Sequence, residues 1–289
     1  MSNKKVMLNE FGGPEVLQVV EEENLPEPGA GVAVLEVGQM VADLTVWGAY
    51  TEYMLRPTDS LVPVPTDLDP VEAVSMVLSY VSAYQMLRRI AKVQRGQKIL
   101  VHGAGGAVGT ALLELGGLDV LEMYGTASKS KHELVESLGA TPVDYKSEDF
   151  VERIQALTGD GVDAAFDAIS GENFKRSFKS LKKGGTLVAY GFYNNAAGKG
   201  VSVPIEFMQV KLWDILPNGR QSTFYSIGAL RKKQPDWFKE DLTKLFNLLA
   251  EGKIKPIIER RMKLEEARRA HELIEQAAVK GRIVLVVNE

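Results

Sequence analysis

The sequence predicts an α/β protein: a doubly wound parallel sheet preceded by a smaller β-rich domain. Three observations carry this. From Gly96 onward short apolar runs alternate with helical periodicities, the pattern of a parallel sheet covered by helices. One of those runs, Lys98-Ile99-Leu100-Val101-His102, leads straight into glycines three apart, Gly103, Gly106 and Gly109, and then into a helix. Before them, at Asp69, the spacing of apolar residues changes from short runs to intervals of three and four.

The first stretch reads as β. Short runs at residues 17–20, 32–35 and 49–54 are separated by Pro- and Gly-bearing turns, among them Pro26-Glu27-Pro28-Gly29, so a small barrel or sandwich is expected. Pro70 suits a first helical turn, and Val74, Val77, Leu78, Val81, Met86 and Ile90 form an apolar stripe as far as Val93, predicting one long amphipathic helix. Strands follow at 98–102, 122–125, 142–145, 162–169 and 186–190, with helices from about 107 and over 130–138, 147–157 and 172–181. The last part has a helix near 237–250, a turn at Gly252, an extended run at 256–260, a helix at 264–277 and a closing strand at 282–287. This order divides the chain into residues 1–81, 82–217 and 218–289, the last returning to the first domain.

Of 289 residues, 34 are Lys or Arg and 38 Asp or Glu, a formal charge of −4, which gives no electrostatic footprint for nucleic acid or an anionic membrane. Hydrophobic residues at 45% and charged residues at 25% are the composition of a globular chain. There is no cysteine, which removes thiol nucleophiles, disulfides and Cys-based zinc sites. The three histidines, His102, His132 and His271, are scattered and read as structural, so no metal is expected. No signal-peptide stretch is seen, and no run approaches the roughly 18 apolar residues of a membrane span. A cytoplasmic protein is expected.

The glycine turn has a physical purpose. Glycines let the backbone approach a pyrophosphate, and the free N–H groups of the following helix, from Gly106 through Ala107 and Val108, favour an anion. Gly103, Gly105, Gly106, Ala107, Val108 and Gly109 are therefore candidate dinucleotide-binding residues. Where NAD-specific proteins carry an acid at the end of the next strand, this chain has Thr126-Ala127-Ser128-Lys129-Ser130-Lys131. A hydroxyl and lysines suit a 2′-phosphate, so Ser128 and Lys129, with Lys131 beside them, predict NADPH.

Several segments together resemble a known family: Phe11-Gly12-Gly13-Pro14-Glu15-Val16-Leu17, Trp47-Gly48-Ala49-Tyr50-Thr51-Glu52-Tyr53, the segment from Gln97 to Gly106, and Ala250-Glu251-Gly252-Lys253-Ile254-Lys255-Pro256. They are similar to the medium-chain dehydrogenase/reductases, nearest the zinc-independent quinone oxidoreductases, also called ζ-crystallin-like, and their vesicle amine transport protein-like branch. The resemblance implies a GroES-like first domain, a Rossmann domain and a returning C-terminal segment. It also implies an NADPH-dependent reductase of quinones or α,β-unsaturated carbonyls, usually a homodimer joined through the Rossmann domains. On this resemblance Ser128, Lys129 and Tyr145 fall at the 2′-phosphate end of the cofactor and Ser82 beside the nicotinamide. Tyr190, Gly191 and Phe192 fall at the nicotinamide ribose or amide, and Phe224 and Tyr225 on the far side of the cleft. In one respect the sequence departs from the family. Several dozen residues that build much of the substrate pocket have no counterpart after Leu35, through a true deletion or a stretch missing from the sequence as written.

Reducing such an acceptor needs a hydride and a donor at the developing oxyanion. Tyr53, Ser82 and Tyr225 are the candidate donors. No nucleophile elbow or Ser-His-Asp arrangement is seen, which argues against a hydrolase. Asp163 and Asp167 share one face of a strand, and Asp167 is expected to order the loop before Ser170-Gly171. A zinc alcohol dehydrogenase of the same fold is excluded by the absent cysteines. The competing expectation is a cofactor-binding protein with little turnover, serving as an interaction or sensor module. Dimerisation is expected by edge pairing near 186–190 and through the apolar segment 201–207.

Overall fold

Five apolar runs and one polar one become a single parallel sheet, in the order Gln221–Phe224, Leu181–Ala189, Val162–Asp167, Lys98–His102, Glu122–Ala127, Thr141–Asp144. This is seen in the computed structural model, which describes residues 2–8, 13–23, 35–45, 47–196, 198 and 202–287. The first strand in sequence, Lys98–His102, lies between the second and the fourth, so the order of connection reverses beside it. That reversal opens a crevice at the carboxyl ends of Lys98–His102 and Val162–Asp167, where open α/β sheets bind ligands. Both neighbours of the central strand are in close register, with Leu100 opposite Tyr124 on one side and Ala165 on the other.

The sheet belongs to one of two units, Ser79–Phe238; the other comprises Met1–Leu78 and Lys239–Glu289. The second boundary therefore falls later than the expected 217/218. Gln221–Phe224 pairs in parallel with Thr186 to Ala189, so that segment stays with the sheet.

The helices of the sheet unit start and stop where side chains permit. Asp149 caps Phe150–Thr158 by accepting from the N–H groups of Val151 and Glu152, and Gly159, at φ +81°, ends it. Phe150, Ile154, Phe174, Leu187 and Val210 join Leu100 and Ala165 in one core. The helix Val203–Ile215 is inverted. It buries Glu206 and Val210 and leaves Ile205, Met208, Leu212 and Ile215, spaced three, four and three, exposed. Ser222 ties this helix to the last strand by donating from its hydroxyl to the Val210 carbonyl at 2.6 Å.

Thr186 to Ala189 is paired on both sides, so it is not the edge that dimerisation was expected to use. The edges are Gln221–Phe224 and Thr141–Asp144.

In the other unit, Ser2–Leu8 pairs antiparallel with Leu17–Glu23, Val41–Ala42 with Val62–Pro63, and Ile258–Lys263 runs parallel to Arg282–Val286. The expected strand at 49–54 is reduced to one bridge between Thr51 and Lys5. Gly48 turns the chain at φ +78°, and the Asn3 side chain takes the Tyr53 N–H that a ladder would have used. The expected turn at 26–29 and, but for Leu35, the expected strand at 32–35 lie outside the described residues. The expected helix after Pro70 forms, with Asp69 accepting from the Val71 N–H. It widens twice into π turns, at Met76–Tyr80 and Met86–Ile90, for which the apolar spacing gave no signal.

Candidate functional site

Because the six strands are parallel, whatever follows each of them lies along one edge of the sheet. Gly103 follows the first strand, Ser128 the second, Tyr145 the third, Tyr190 the fifth and Tyr225 the sixth. The residues singled out in the sequence for a dinucleotide are thus gathered by topology alone, from segments up to five strands apart.

At the centre of that edge the glycine turn is tight. Gly103 adopts φ +64°, and the Gly106 N–H donates back to the Gly103 carbonyl at 2.9 Å. Gly106 then enters Ala107–Leu118 as its N-cap with no side chain over the first free N–H groups. A Cβ on Gly109 would stand 2.3 Å from the Gly103 carbonyl oxygen and 2.7 Å from the Ala104 Cα, so the helix can lie this close to the turn only with hydrogen at that position. From the sheet side, a Cβ on Gly125 would meet the Ala104 Cβ at 2.6 Å. The turn is clamped between helix and strand, and it leaves backbone N–H groups facing outward where an anion is favoured.

To one side lies the Ser-Lys tip. Ser128 precedes the short helical turn Lys129–Lys131, and its hydroxyl is 3.2 Å from that of Ser130. Lys129 is exposed, whereas the stem of Lys131 lies across Gly105, whose Cβ would be 2.7 Å from the Lys131 Cδ. Of the two lysines, Lys131 is the one that reaches the glycine turn. Tyr145, after the third strand, is exposed. His132 sits at 3.3 Å from the Ala127 carbonyl and packs the tip from behind.

To the other side, Tyr190, Gly191 and Phe192 follow the fifth strand. Tyr190 donates its N–H to the Asp167 carbonyl at 2.9 Å, and burial, with the charge of Asp167, pushes its phenol up. The Phe192 ring stacks on Phe224, centroids 4.8 Å apart and planes at 16°, with Phe207 tilted against Phe224 and Phe174 edge-on to both stacked rings. Each stacked ring covers a face of the other, so backbone and not ring faces is what this loop chiefly offers a ligand.

Of the three candidate donors, Tyr225 and Ser82 belong to the sheet unit and Tyr53 to the other. Tyr225 is 5% exposed and donates its hydroxyl to Gln85 Oε1 at 2.9 Å, which ties the last strand to the helical segment Val81–Gln85. Ser82, three residues before Gln85, is buried between the two π turns. Tyr53 belongs to the other unit, where it is 48% exposed beside a shallow groove of about 390 Å³ shared with Asn3, Tyr50 and Met54.

One constellation was not seen in the sequence. His102, Ser177 and Asp167 meet in the core although 65 and 75 residues separate His102 from the other two. Ser177 Oγ is 2.6 Å from Asp167 Oδ2 and 2.9 Å from His102 Nε2, and Thr126 Oγ1 is 3.0 Å from His102 Nδ1. Asp167 also accepts from the Ile169 N–H at 2.7 Å and from Asn173 Nδ2 at 2.8 Å. Ser177 therefore gives its proton to Asp167 and accepts from Nε2–H, so His102 is the neutral Nε2 tautomer and accepts from Thr126. Burial pushes its imidazole below the ordinary value, Asp167 opposing and Arg176 adding to the shift. In a hydrolytic triad histidine stands between serine and acid. Here serine stands in the middle and is fully buried, so the chain of bonds stitches three strands to the helix Glu172–Lys179. The expected ordering of the 168–171 loop by Asp167 is the Ile169 bond. Asp163, on the same strand, is taken by Lys182 at 2.6 Å and the Lys98 N–H at 2.9 Å. His271 bonds Tyr50 at 3.0 Å in the other unit. Among the described residues no three His, Cys, Asp or Glu side chains are grouped to hold a metal. No described helix is long and apolar enough to cross a membrane.

Residues 138–285 match the family model described as zinc-binding dehydrogenase. The mouse (Mus musculus) protein "synaptic vesicle membrane protein VAT-1 homolog-like" is 28% identical over 273 residues, covering 90% of this chain but 64% of its own length. The chain therefore spans less than two thirds of that relative. The "probable quinone oxidoreductase" of Schizosaccharomyces pombe is 28% identical over 258 residues, covering 89% of this chain and 75% of its own. A mycobacterial protein solved as a complex with NADPH has the same fold, with a TM-score of 0.85, 23% identity and coverage of 99% and 100% of the two chains. The matched family model and the two relatives agree with the doubly wound sheet and its glycine turn: the chain belongs to the zinc-binding dehydrogenase family of the medium-chain dehydrogenase/reductases, in the branch of the quinone oxidoreductases and VAT-1-like proteins.

Proposed function

We propose that the chain is an NADPH-dependent oxidoreductase that reduces quinones or α,β-unsaturated carbonyl compounds by hydride transfer without a metal. The observation that carries the cofactor half is the Lys131 stem lying across Gly105 beside the uncapped helix start at Gly106, with the Ser128 and Ser130 hydroxyls paired on the same short turn as Lys131. A 2′-phosphate carries nearly two negative charges at neutral pH and several acceptor oxygens. Two hydroxyls and a lysine ammonium supply what it requires, and an acid at this tip would repel it. The pyrophosphate falls to the N–H groups of Gly105, Ala107 and Val108, that of Gly106 being given to the Gly103 carbonyl, and the adenosine end to Ser128, Lys131 and, more openly, Lys129 and Tyr145. The names of a quinone oxidoreductase relative and of an NADPH complex of the same fold support this.

When bound, the cofactor supplies the hydride. Ser82, in a buried helical segment, is the donor best protected from water, and Tyr225 acts through Gln85 as a positioning residue. Tyr53 is the candidate from the other unit. The partner is a second copy, joined at the Gln221–Phe224 edge and flanked by the exposed apolar stripe of Val203–Ile215, because an unpaired parallel edge needs covering.

Titrating NADPH and NADH by nicotinamide fluorescence tests the cofactor assignment. NADPH is expected to bind at least about tenfold more tightly, and Lys131→Ala to remove about that factor for NADPH alone, the value of a charge-assisted hydrogen bond. Equal affinity for the two dinucleotides would overturn it. A second reading, a cofactor-binding module with little turnover, is favoured by the commitment of the Tyr225 hydroxyl to Gln85. It predicts NADPH binding without consumption against every acceptor tried.

A further inference from the structure

At the carboxyl end of Val162–Asp167, on the opposite side of the glycine turn from Ser128, lies a polar cluster that the function above does not use. Ser170 is fully buried and held at φ +72°, a left-handed conformation costly for a side-chain-bearing residue. Its hydroxyl donates to Asn195 Oδ1 at 2.7 Å, and Asn195 Nδ2 donates to Glu206 Oε1 at 3.3 Å. Asn194 Nδ2 holds the Ser170 carbonyl at 3.1 Å. Glu206 is 1% exposed, and its second oxygen, Oε2, has no hydrogen-bond partner among the described residues. A buried carboxylate oxygen left unmatched is costly, and this one stands on the inner face of a helix whose outer face is apolar. Gly171, also left-handed at φ +67°, has no side chain here. A Cβ on it would stand 3.8 Å from Glu206 Oε1 and 3.7 Å from Asn194 Nδ2. Of the two carboxylate oxygens it is Oε1, the one bonded to Asn195, that lies beside the Gly171 backbone, and Oε2 stands farther from it.

We propose that Ser170, Asn195 and Glu206 form an acceptor subsite in which Glu206 Oε2 receives a neutral N–H or O–H donor from the nicotinamide-ribose half of the dinucleotide. This rests on the NADPH assignment above. The sheet fixes the direction. Ser128 and Lys131 follow the strand on one side of Lys98–His102 and take the phosphorylated adenosine, the glycine turn takes the pyrophosphate, and the 168–171 loop follows the strand on the other side. Phosphate is repelled by a buried carboxylate, whereas a ribose hydroxyl or a carboxamide NH₂ completes it. The left-handed Ser170 and Gly171 bring the 168–171 loop close to the buried carboxylate.

Glu206→Gln tests the assignment. The amide oxygen stays on Asn195 Nδ2, so an NH₂ group takes the place of Oε2 and meets the ligand's donor with a donor. The apo variant is expected to be at least as stable to heat as the wild type, because an uncompensated buried charge is gone. Calorimetric titration compares NADPH with adenosine 2′,5′-bisphosphate, which carries the phosphorylated adenosine but no nicotinamide ribose. The variant is expected to bind the bisphosphate as the wild type does and NADPH about tenfold or more less tightly. Unchanged NADPH affinity would overturn the subsite while leaving the cofactor assignment intact. Failure of the wild type to bind either compound would instead overturn the cofactor assignment itself. If Glu206→Gln does not fold, Glu206→Met, of similar volume and with no acceptor of that strength, is measured in the same way with the same expectation.

Discussion

Adding one methyl group to Gly109 puts the glycine turn to its severest test. The new Cβ would meet the Gly103 carbonyl oxygen at 2.3 Å and the Ala104 Cα and O at 2.7 and 2.8 Å. All three are backbone atoms, so no side chain can swing aside. Either the helix Ala107–Leu118 withdraws or the turn opens, and Gly125 beneath it, already against Ala104, blocks retreat into the sheet. Overpacking of this kind costs about 1–3 kcal/mol. Alanine in a helix returns about 0.5–1 kcal/mol relative to glycine. Gly109→Ala is thus expected to lose up to about 2.5 kcal/mol net. Gly117, in the same helix, has nothing within 4 Å of its Cβ position, so Gly117→Ala keeps the helical gain and should be about 0.5–1 kcal/mol more stable. Equilibrium urea unfolding of the two variants beside the wild type gives both signs in one experiment. Since the opened turn also misaligns the N–H groups of Gly105, Ala107 and Val108, NADPH affinity should fall with Gly109→Ala and stay constant with Gly117→Ala. Equal stability of the two variants, or full NADPH affinity in Gly109→Ala, would refute the close-approach argument.

Three further outcomes are expected. Burial pushes the His102 imidazole below its ordinary value, so the unfolded chain takes up the proton first. Stability is then full above about pH 6.5 and is lost as the pH falls below it, by up to about 1.4 kcal/mol per unit for one proton. His102→Gln, which keeps a donor for Ser177, should flatten that slope in urea midpoints measured between pH 7.5 and 5.5, values chosen to bracket roughly the ordinary histidine range. Val120 is held at φ +53° just after Ala107–Leu118, a strained conformation for a β-branched residue. Val120→Gly should gain about 1 kcal/mol, read as a raised urea midpoint, and a loss would mean that its exposed side chain packs more than it strains. Met208→Glu with Ile215→Glu places charges on the exposed stripe of Val203–Ile215. Light scattering should find the wild type dimeric and the double variant monomeric, and an unchanged mass would remove that stripe from the interface.

Much of the sheet could be read from the residues, and the reasons it could are physical. Lys98–His102, Glu122–Ala127 and Val162–Asp167 are short apolar runs ended by turn residues, and the glycines after the first admit one arrangement of strand and helix. The topology then places Ser128, Tyr145 and Tyr190 along one edge without any long-range information. Gln221–Phe224 was not legible because Gln-Ser-Thr-Phe has no apolar run; its strand character comes from pairing with Thr186 to Ala189. Val203–Ile215 misleads by pattern, since its apolar stripe faces outward and its carboxylate inward. The π turns on either side of Ser82 leave apolar spacing almost unchanged and so carry no signal. His102 and Asp167 are joined to Ser177 only through sheet register and the packing of the helix Glu172–Lys179, and Ser170, Asn195 and Glu206 only through tertiary contacts. Asp167 and Ser170-Gly171 were the one local hint, a carboxylate followed closely by a small residue and a glycine at the end of a strand. Tyr225 has the same chemistry in the sequence as a free donor; only the fold reveals that Gln85 holds it.

The measurement that bears most directly on the proposed function is consumption of NADPH, with NADH in parallel, by the full chain against a panel of quinones and enones, each run with and without a metal chelator. Steady oxidation that prefers NADPH, continues in the chelator and falls with Ser82→Ala is the expected result. Tight NADPH binding with no oxidation of the cofactor by any acceptor would contradict it and leave the chain a binding module built on a reductase fold.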